Sequence, residues 1–193
     1  MDEIGVIVLA AGESSRMSGS KQLLRVGSES LLRKSTRTAM TLRGPTVVVL
    51  GSDYQKHKNE IADLDVEVIF NLDWRKGMGN SLKYGLNHLN HNFPFLEGVI
   101  IMVCDQPQLE VNTLYKMIEH YDEQNPIIAA TYNGAVGVPV LFSRLYFKEL
   151  LKIPDDRGAK LLIEKYGAKV VAFPQGEIDI DTDDDWQSYL NED

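Results

Sequence analysis

The sequence predicts an α/β protein, a three-layer αβα sandwich whose mostly parallel, Rossmann-like sheet is covered by helices on both faces. Three observations predict this. Short apolar runs alternate with amphipathic stretches of helical spacing along most of the chain. The apolar runs are continuous, as in parallel strands that are buried on both faces. After Thr131 the rhythm changes, and Asn133-Gly134 precedes another apolar run, which predicts an antiparallel excursion.

The first part of the chain supplies five predicted strands and the helices between them. The strands are expected at 4–9, 46–50, 66–70, 98–104 and 127–131. Helices are expected at 28–41, from a cap at Ser52 or Asp53 to Ala62, at 77–89 and at 111–121. Helix 28–41 rests on apolar residues at helical spacing, and Gly44-Pro45 ends it. The alternation of strands and helices favours a parallel sheet.

The remainder of the chain has shorter predicted elements. A strand at 138–142 is followed by two short helices at 143–151 and 157–166, a strand at 170–173 and a short strand at 178–180. The last helix is expected to start at Thr182. Asp185, three residues later, can return a hydrogen bond to the helix start, as in a capping box.

Composition excludes several classes of function. The chain has 193 residues, which is the size of one α/β domain, so residues 1–193 are predicted to form a single domain. A net charge of −8 argues against a general nucleic-acid binder. One cysteine, Cys104, excludes an internal disulfide and a Cys-rich zinc site, and a buried inert thiol is expected.

The histidines and the hydropathy pattern also exclude functions. The four histidines show no ligand spacing and are expected to have surface or packing roles. The four positions are His57, His88, His91 and His120. No apolar run approaches the ~20 residues of a membrane span, and strand-like sequence begins almost at Met1, where a signal peptide would lie. We therefore expect a cytoplasmic protein with no membrane or nucleic-acid partner.

The loop after the first strand is the first candidate site, because ligands of open parallel sheets bind at the carboxyl ends of the strands. Small residues around Gly12 lead into a loop with two fixed cations, Arg16 and Lys21. Such a loop offers backbone N–H groups and positive charge to a phosphate. It matches neither the Walker loop nor the G-x-G-x-x-G fingerprint.

Asp105 is the second candidate, because it is a carboxylate at the end of an all-apolar strand. It can be a turn former or a helix cap, or it can be a ligand of Mg²⁺, which prefers carboxylate oxygens, water and phosphates. A second carboxylate would come from Asp181, with Asp179 as the alternative. The acidic run that contains both is also typical of a solvated, helix-capping segment.

The third candidate follows the third strand. Asn71 and the turn Gly77-Met78-Gly79-Asn80-Ser81 lie there, at the same predicted edge. The turn is a poor dinucleotide fingerprint, since Leu82 stands where the third glycine belongs. As a backbone-rich helix start, it can approach a base or a ribose, with Ser81 supplying a hydroxyl.

These segments carry a family resemblance. LAAGESSRMSGSKQLL closely resembles the signature loop of the MobA/MocA-like molybdenum cofactor nucleotidyltransferases, within the nucleotide-diphospho-sugar transferase fold. Four more segments resemble the same group in the same order: GMGNSLKYGL, VCDQPQL, GVPVLFSR followed by DDRGAKLL, and DIDTDDDW. The LAAG form is similar to the cytidylyl-transferring members, including the purine-catabolism accessory proteins that serve xanthine dehydrogenase-type hydroxylases. The guanylyl-transferring members tend to read LAGG.

The resemblance implies a reaction and a set of roles. CMP would pass from CTP to a molybdopterin-type acceptor with release of pyrophosphate, and a molybdenum hydroxylase is an implied partner. Residues 1–105 would form the nucleotide-binding half and 106–193 the acceptor-binding half. Mg²⁺ would be held by Asp105 and Asp181, and Arg16, Lys21 and Asp105 would be the catalytic residues. The implied nucleotide-binding residues are Leu9, Ala10, Ala11, Gly12, Arg16, Lys21, Asn71, Gly77, Ser81 and Asp105.

Two departures and three alternatives accompany this interpretation. Ser18-Gly19-Ser20 is richer in serine than the equivalent segment of many relatives, and Val138 stands where relatives often have histidine. The alternatives are a transferase that uses GTP, one that uses a sugar 1-phosphate acceptor, and a non-catalytic carrier of the molybdenum cofactor.

Overall fold

The computed structural model describes residues 3–192, which form nine strands and seven helices. The strands are β1 (Ile4–Ala10), β2 (Arg25–Val26), β3 (Glu29–Ser30), β4 (Thr46–Leu50), β5 (Glu67–Phe70), β6 (Gly98–Val103), β7 (Ile127–Tyr132), β8 (Ala135–Ser143) and β9 (Lys169–Ala172). The helices are α1 (Leu31–Met40), α2 (Tyr54–Glu60), α3 (Met78–Asn92), α4 (Val111–His120), α5 (Phe147–Leu150), α6 (Lys160–Tyr166) and α7 (Asp183–Glu192). Short 3-10 turns occur at Lys21–Leu23, Trp74–Lys76, Arg144–Tyr146 and Pro174–Glu177.

Seven strands form one sheet in the order β5-β4-β1-β6-β8-β7-β9. Strand β8 runs antiparallel to both of its neighbours, whereas the other neighbouring pairs in this sheet are parallel. Asn133 and Gly134 both have positive φ, 45° and 76°, as a two-residue hairpin turn requires. The mostly parallel sheet with an antiparallel excursion is therefore confirmed.

Helices cover both faces of the sheet. In β1, Ile7 and Leu9 point into one apolar cluster, which includes Leu82 and Leu86 of α3. Val6 and Val8 point into the other, with residues of α1 and α4. The alternation buries every residue of β1, which explains why its sequence is apolar throughout. Among the helices of residues 3–192, none has both the length and the apolar character that spanning a membrane would require.

The helix predicted at 28–41 starts later than expected. Residues 25–30 form the hairpin β2–β3 with Gly27 at φ 61° in its turn, and α1 begins at Leu31. The Ser30 side chain caps α1 by accepting a hydrogen bond from the Arg33 N–H at 3.1 Å. The prediction was wrong because strands of two residues leave no periodicity in a sequence.

The predicted short strand before α7 is absent, whereas the predicted capping box at the start of α7 is present. Residues 178–180 are not a strand; Ile180 makes a backbone hydrogen bond to the Asp105 carbonyl at 3.1 Å, and that single bond does not form a ladder. Asp53 takes the N-cap of α2 at φ 47° without a side-chain cap. The capping box is confirmed: Asp185 N–H donates to Thr182 Oγ1 at 3.1 Å, and Thr182 N–H donates to Asp185 Oδ2 at 2.8 Å.

Candidate active site

A cavity of about 260 Å³ opens at the carboxyl edge of the sheet, between the ends of β1 and β6 and the start of α3. Most of the residues that the sequence selected line it. Its lining is Leu9, Ala10, Ala11, Gly12, Lys21, Gln22, Trp74, Gly77, Met78, Ser81, Val103, Cys104 and Asp105. The rule that ligands bind at the carboxyl ends of parallel strands therefore selected the correct edge for a cavity.

Lys21 lies between two carboxylates at the rim of this cavity. Its Nζ donates to Asp105 Oδ2 at 2.5 Å and to Asp181 Oδ1 at 2.9 Å. The three side chains come from the signature loop, the end of β6 and the segment before α7. The structure thus brings together residues that are up to 160 positions apart in the sequence.

Lys21 and Asp181 stabilise each other's charged forms. Burial alone would lower the pKa of Lys21, but the charge of Asp105 and hydrogen bonds to both carboxylates raise it above its ordinary value. Burial opposes ionisation of Asp181, yet its bonds to Lys21 and Arg16 lower the pKa of that carboxyl. Lys21 therefore stays protonated at neutral pH.

Cys104, the residue before Asp105, is a buried thiol beside this cluster. It is buried, and burial, followed by the charge of Asp105, raises the pKa of the thiol to about 12. The expected burial of Cys104 is confirmed, and the raised pKa disfavours the reactive thiolate.

The signature loop is attached to the C-terminal segment at two further points. The Arg16 guanidinium lies 2.8 Å from Asp181 Oδ2, in an exposed pair. The Ser18 N–H and hydroxyl both donate to Asp183. Arg16 and Asp181 therefore meet at the edge of the site and do not line the cavity itself.

The donor set fits a hard divalent cation. Asp105 and Asp181 both present carboxylate oxygens to the Lys21 ammonium. Within residues 3–192, no group of three or more His, Cys, Asp or Glu side chains could hold a metal. Two carboxylates with water and phosphate oxygens as the remaining ligands is the arrangement that Mg²⁺ favours.

Asp179 is the alternative second carboxylate. Partial burial, followed by the charge of Asp105, raises the pKa of Asp179 to about 6. The Lys21 ammonium bonds Asp105 and Asp181 instead. Lys21 therefore links Asp105 to Asp181 and not to Asp179.

Asn71 lies behind the cavity wall. It is fully buried, and its amide nitrogen donates to Ser81 Oγ at 3.0 Å, while its amide oxygen accepts from the Asp73 N–H at 2.9 Å. Ser81 lines the cavity and Asn71 does not, so Asn71 orients the hydroxyl.

Four lining residues, Gln22, Trp74, Val103 and Cys104, were not among the candidate site residues of the sequence, and two of them are polar or aromatic side chains that could contact a ligand, Gln22 and Trp74. Trp74 follows β5 and lies between predicted site residues, so the strand-end rule could have found it. Gln22 carried no such signal, because its role depends on contacts with distant parts of the loop.

The start of α3 is fixed by the segment before α6. The Asn80 N–H donates to the Asp155 carbonyl at 3.0 Å, and the Lys83 ammonium bonds the Asp155 carboxylate. The bond from Lys83 holds the pKa of Asp155 below its ordinary value. A Cβ on Gly79 would clash with the carbonyl oxygens of Pro154 and Arg157, so only glycine allows this approach.

Gly79→Ala is therefore expected to destabilise the fold by about 1–3 kcal/mol, the usual cost of overpacking. The Pro154 carbonyl accepts from the Arg157 N–H at 3.1 Å, and the Asp155 carbonyl between the two clashing residues accepts from the Asn80 N–H, so a shift of this segment disturbs hydrogen bonds that hold it. Urea unfolding measures the change, with Gly19→Ala as the control because a methyl group on Gly19 would meet no atom within 4 Å. Equal stability of the two variants would show that the segment before α6 yields freely.

Comparisons with known proteins agree with this architecture. The family model of the MobA-like NTP transferase domain matches residues 6–170. The purine catabolism protein PucB of Bacillus subtilis is 29% identical over 95% of this chain and 93% of its own. The molybdenum cofactor cytidylyltransferase of Escherichia coli is 26% identical over 96% of this chain and 95% of its own.

Solved structures show the same likeness. Rv0371c of Mycobacterium tuberculosis superposes with a TM-score of 0.85 at 28% identity, over 98% of this chain and 97% of that one. A second Rv0371c structure, a complex with manganese, has a TM-score of 0.80 at 27% identity and covers 99% of this chain and 100% of that one.

The fold is that of the nucleotide-diphospho-sugar transferases. Within that class, the chain belongs to the MobA-like NTP transferase family, a family of nucleotidyltransferases, because the family model covers most of its length. The resemblance that five ordered motifs indicated is confirmed.

Proposed function

We propose that this protein transfers CMP from CTP to the phosphate of a molybdopterin-type cofactor, with release of pyrophosphate. The observation that carries the proposal is the Lys21 ammonium held between Asp105 and Asp181, at the rim of a cavity of about 260 Å³. This cluster places a fixed cation and two carboxylates at the cavity mouth, where the triphosphate of a bound nucleotide would extend out of the cavity.

Residues 1–105 supply the donor half of the proposed site. Backbone groups of Leu9, Ala10, Ala11 and Gly12 hold the nucleoside, together with Gly77, and the Gly12 N–H lies at the point where the ribose joins the phosphates. Ser81, oriented by Asn71, offers a hydroxyl to the sugar. The enclosed part of the cavity suits a nucleoside, and the phosphates extend toward Lys21.

The cations hold the triphosphate and stabilise its transition state. Lys21 and Arg16 turn from the carboxylates to the phosphates, where they meet the charge that develops on the α-phosphate and on pyrophosphate. Asp105 and Asp181 would hold Mg²⁺. When bound, the metal ion neutralises phosphate charge and so permits an anionic nucleophile to approach. The manganese complex of the related Rv0371c supports a divalent cation in this fold.

The chemical step requires no general base from the protein. A phosphate oxygen of the acceptor attacks the α-phosphorus of CTP, and the bond from that phosphorus to the bridging oxygen of pyrophosphate breaks. A phosphate monoester is already largely ionised near neutrality, with a second pKa of about 6. The protein positions both groups in line and stabilises charge, as in other phosphoryl-type transfers.

The acceptor and the base choice rest on the relatives. The names of PucB and the cytidylyltransferase support a role in purine metabolism and a molybdenum cofactor acceptor. The motif resemblance supports a hydroxylase of the xanthine dehydrogenase type as the enzyme that is served. Ala11 supports CTP over GTP. Residues 106–193 form the acceptor half, in which Val138 replaces the histidine of many relatives.

A panel of nucleotides crossed with acceptors tests the proposal. Pyrophosphate release is expected with CTP, Mg²⁺ and molybdopterin, at a rate well above that with GTP, and little release is expected with sugar 1-phosphates. Faster release with GTP would contradict the base assignment, and release with a sugar 1-phosphate would contradict the acceptor. Tight pterin binding without pyrophosphate release would instead identify a carrier.

A further inference from the structure

His57, one of the histidines to which the sequence assigned a surface or packing role, is fully buried on α2 and contacts the signature loop. Its Nε2 lies 2.7 Å from Ser20 Oγ. Its buried Nδ1 has no partner of full hydrogen-bond geometry among the residues that the structure describes, and the Ser52 backbone is a polar group close to the ring. A buried histidine that makes its one hydrogen bond to a loop serine has a more specific role than filling space.

The bond continues from Ser20 to the centre of the loop. The Ser20 hydroxyl donates to Gln22 Oε1 at 2.8 Å, and Gln22, only 1% exposed, donates from Nε2 to the Gly12 carbonyl at 2.8 Å. Ser14 Oγ also donates to Gln22 Oε1 at 3.2 Å, and it accepts from the Lys21 backbone N–H at 2.8 Å. Gln22 therefore joins both ends of the loop.

These bonds fix which way the loop's peptide groups point. The Gly12 carbonyl is held by Gln22, and the Ala11 carbonyl accepts from the Ser52 N–H at 3.0 Å. In a trans peptide the N–H points opposite to the C=O, so the N–H groups of Gly12 and Glu13 point away from Gln22 and Ser52. Neither N–H has an acceptor in the part of the chain that the structure describes. They are free to bind an anion.

The network also assigns the tautomer of His57. Ser20 has one hydroxyl proton and donates it to Gln22, so the ring must donate from Nε2 to Ser20 Oγ. This arrangement places a proton on Nε2, as in the neutral Nε2–H form of the ring. Burial lowers the pKa of His57, which favours this neutral form at physiological pH.

We propose that His57 is a positioning residue for the donor nucleotide, which acts through Ser20 and Gln22 to hold the N–H groups of the signature loop in their phosphate-binding orientation. The inference rests on the proposed function, since it assumes that the loop binds the phosphates of an NTP. His57 itself lies outside the cavity lining, so it is placed to act through Ser20 and Gln22 and not by contact with a ligand in the cavity.

Three variants separate positioning from packing. His57→Phe keeps the ring volume and loses the hydrogen bond, and His57→Gln keeps an N–H donor near the position of Nε2. His91→Phe is the control, because His91 is exposed on α3. His57→Phe is expected to lower kcat/KM for CTP about tenfold, the effect of a buried hydrogen bond left half-made. The KM for the acceptor should stay unchanged, and His57→Gln should recover most of the loss.

A double-mutant cycle with Ser20→Ala tests the route. If His57 acts through Ser20, the double variant loses no more than the poorer single variant, whereas additive losses would overturn the route. Loss of CTP and acceptor KM together, with no recovery in His57→Gln, would show that His57 is a packing residue and would overturn the proposal.

Limited trypsin digestion tests, without any substrate, whether the hydrogen bonds from His57 through Ser20 to Gln22 hold the loop. The loop contains Arg16, and cleavage there requires local opening of the loop. His57→Phe should be cut after Arg16 about tenfold faster than wild type, by the same loss of one hydrogen bond, and His91→Phe should match wild type. If wild type turns over no donor, the proposed function fails. The digestion is then the deciding test. Faster cutting of His57→Phe than of wild type supports the proposal that His57 holds the loop, and an unchanged rate overturns it.

Discussion

The Lys21→Ala variant is expected to release pyrophosphate about 10²–10³-fold more slowly than wild type with CTP, Mg²⁺ and the acceptor, while it remains folded. The Lys21 side chain contacts both Asp105 and Asp181, so it is placed to meet the charge that develops on the departing pyrophosphate. A methyl group there leaves this charge without its fixed counter-ion. Initial rates of pyrophosphate release measure the loss.

The fold is expected to survive because the apolar clusters that hold the sheet do not include the Lys21 side chain. Lys116→Ala, which removes an exposed lysine on α4, is the matched control and should leave the rate unchanged. Circular dichroism should show cooperative melting for both variants. Turnover by Lys21→Ala close to that of wild type would remove Lys21 from the catalytic machinery.

The sheet could be predicted from the sequence because burial on both faces leaves a direct record. The central strands β1, β4 and β6 are buried at every residue, so they must be continuous apolar runs. Asn133-Gly134 identified the antiparallel excursion, since only residues that accept positive φ suit that turn. Strands and turns that depend on consecutive residues can be predicted from the local sequence.

The elements that were missed depend on distant contacts or are too short to show a period. The hairpin β2–β3 has two residues in each strand, and residues 178–180 form no strand. The apolar residues that suggested a strand there include Ile180, which is buried against Leu31 and Tyr189. Burial alone produced the apolar pattern.

The candidate site also contains residues that local patterns predicted and residues whose roles depend on distant contacts. The strand-end rule brought Lys21 and Asp105 to one edge, and Asp181 was selected as the residue before the last helix. No local pattern shows that Asn71 supports Ser81 from behind or that Gln22 holds the Gly12 carbonyl. A buried amide side chain in a sequence looks like any other amide, and its partner is known only once the loops are placed.

Asp105→Asn is expected to lower pyrophosphate release by about 10²–10³-fold and to weaken Mn²⁺ binding to the CTP complex. Asparagine keeps the size of Asp105, and its amide oxygen can still accept from Lys21, so the fold should be retained. The negative charge is lost, and a hard divalent cation prefers carboxylate oxygens. Electron paramagnetic resonance of free Mn²⁺ measures the affinity separately from the rate.

The same titration decides which carboxylate is the partner of Asp105. Asp181 shares the Lys21 ammonium with Asp105, so Asp181→Asn should weaken Mn²⁺ binding as Asp105→Asn does. Asp179→Asn should leave it nearly unchanged, because Asp179 is not among the carboxylates that Lys21 bonds. Asp65→Asn, on an exposed loop, is the control for the loss of one negative charge. Mn²⁺ binding that fails in Asp179→Asn and persists in Asp181→Asn would move the metal to Asp179, and Asp181 would then act only as the counter-ion of Lys21 and Arg16.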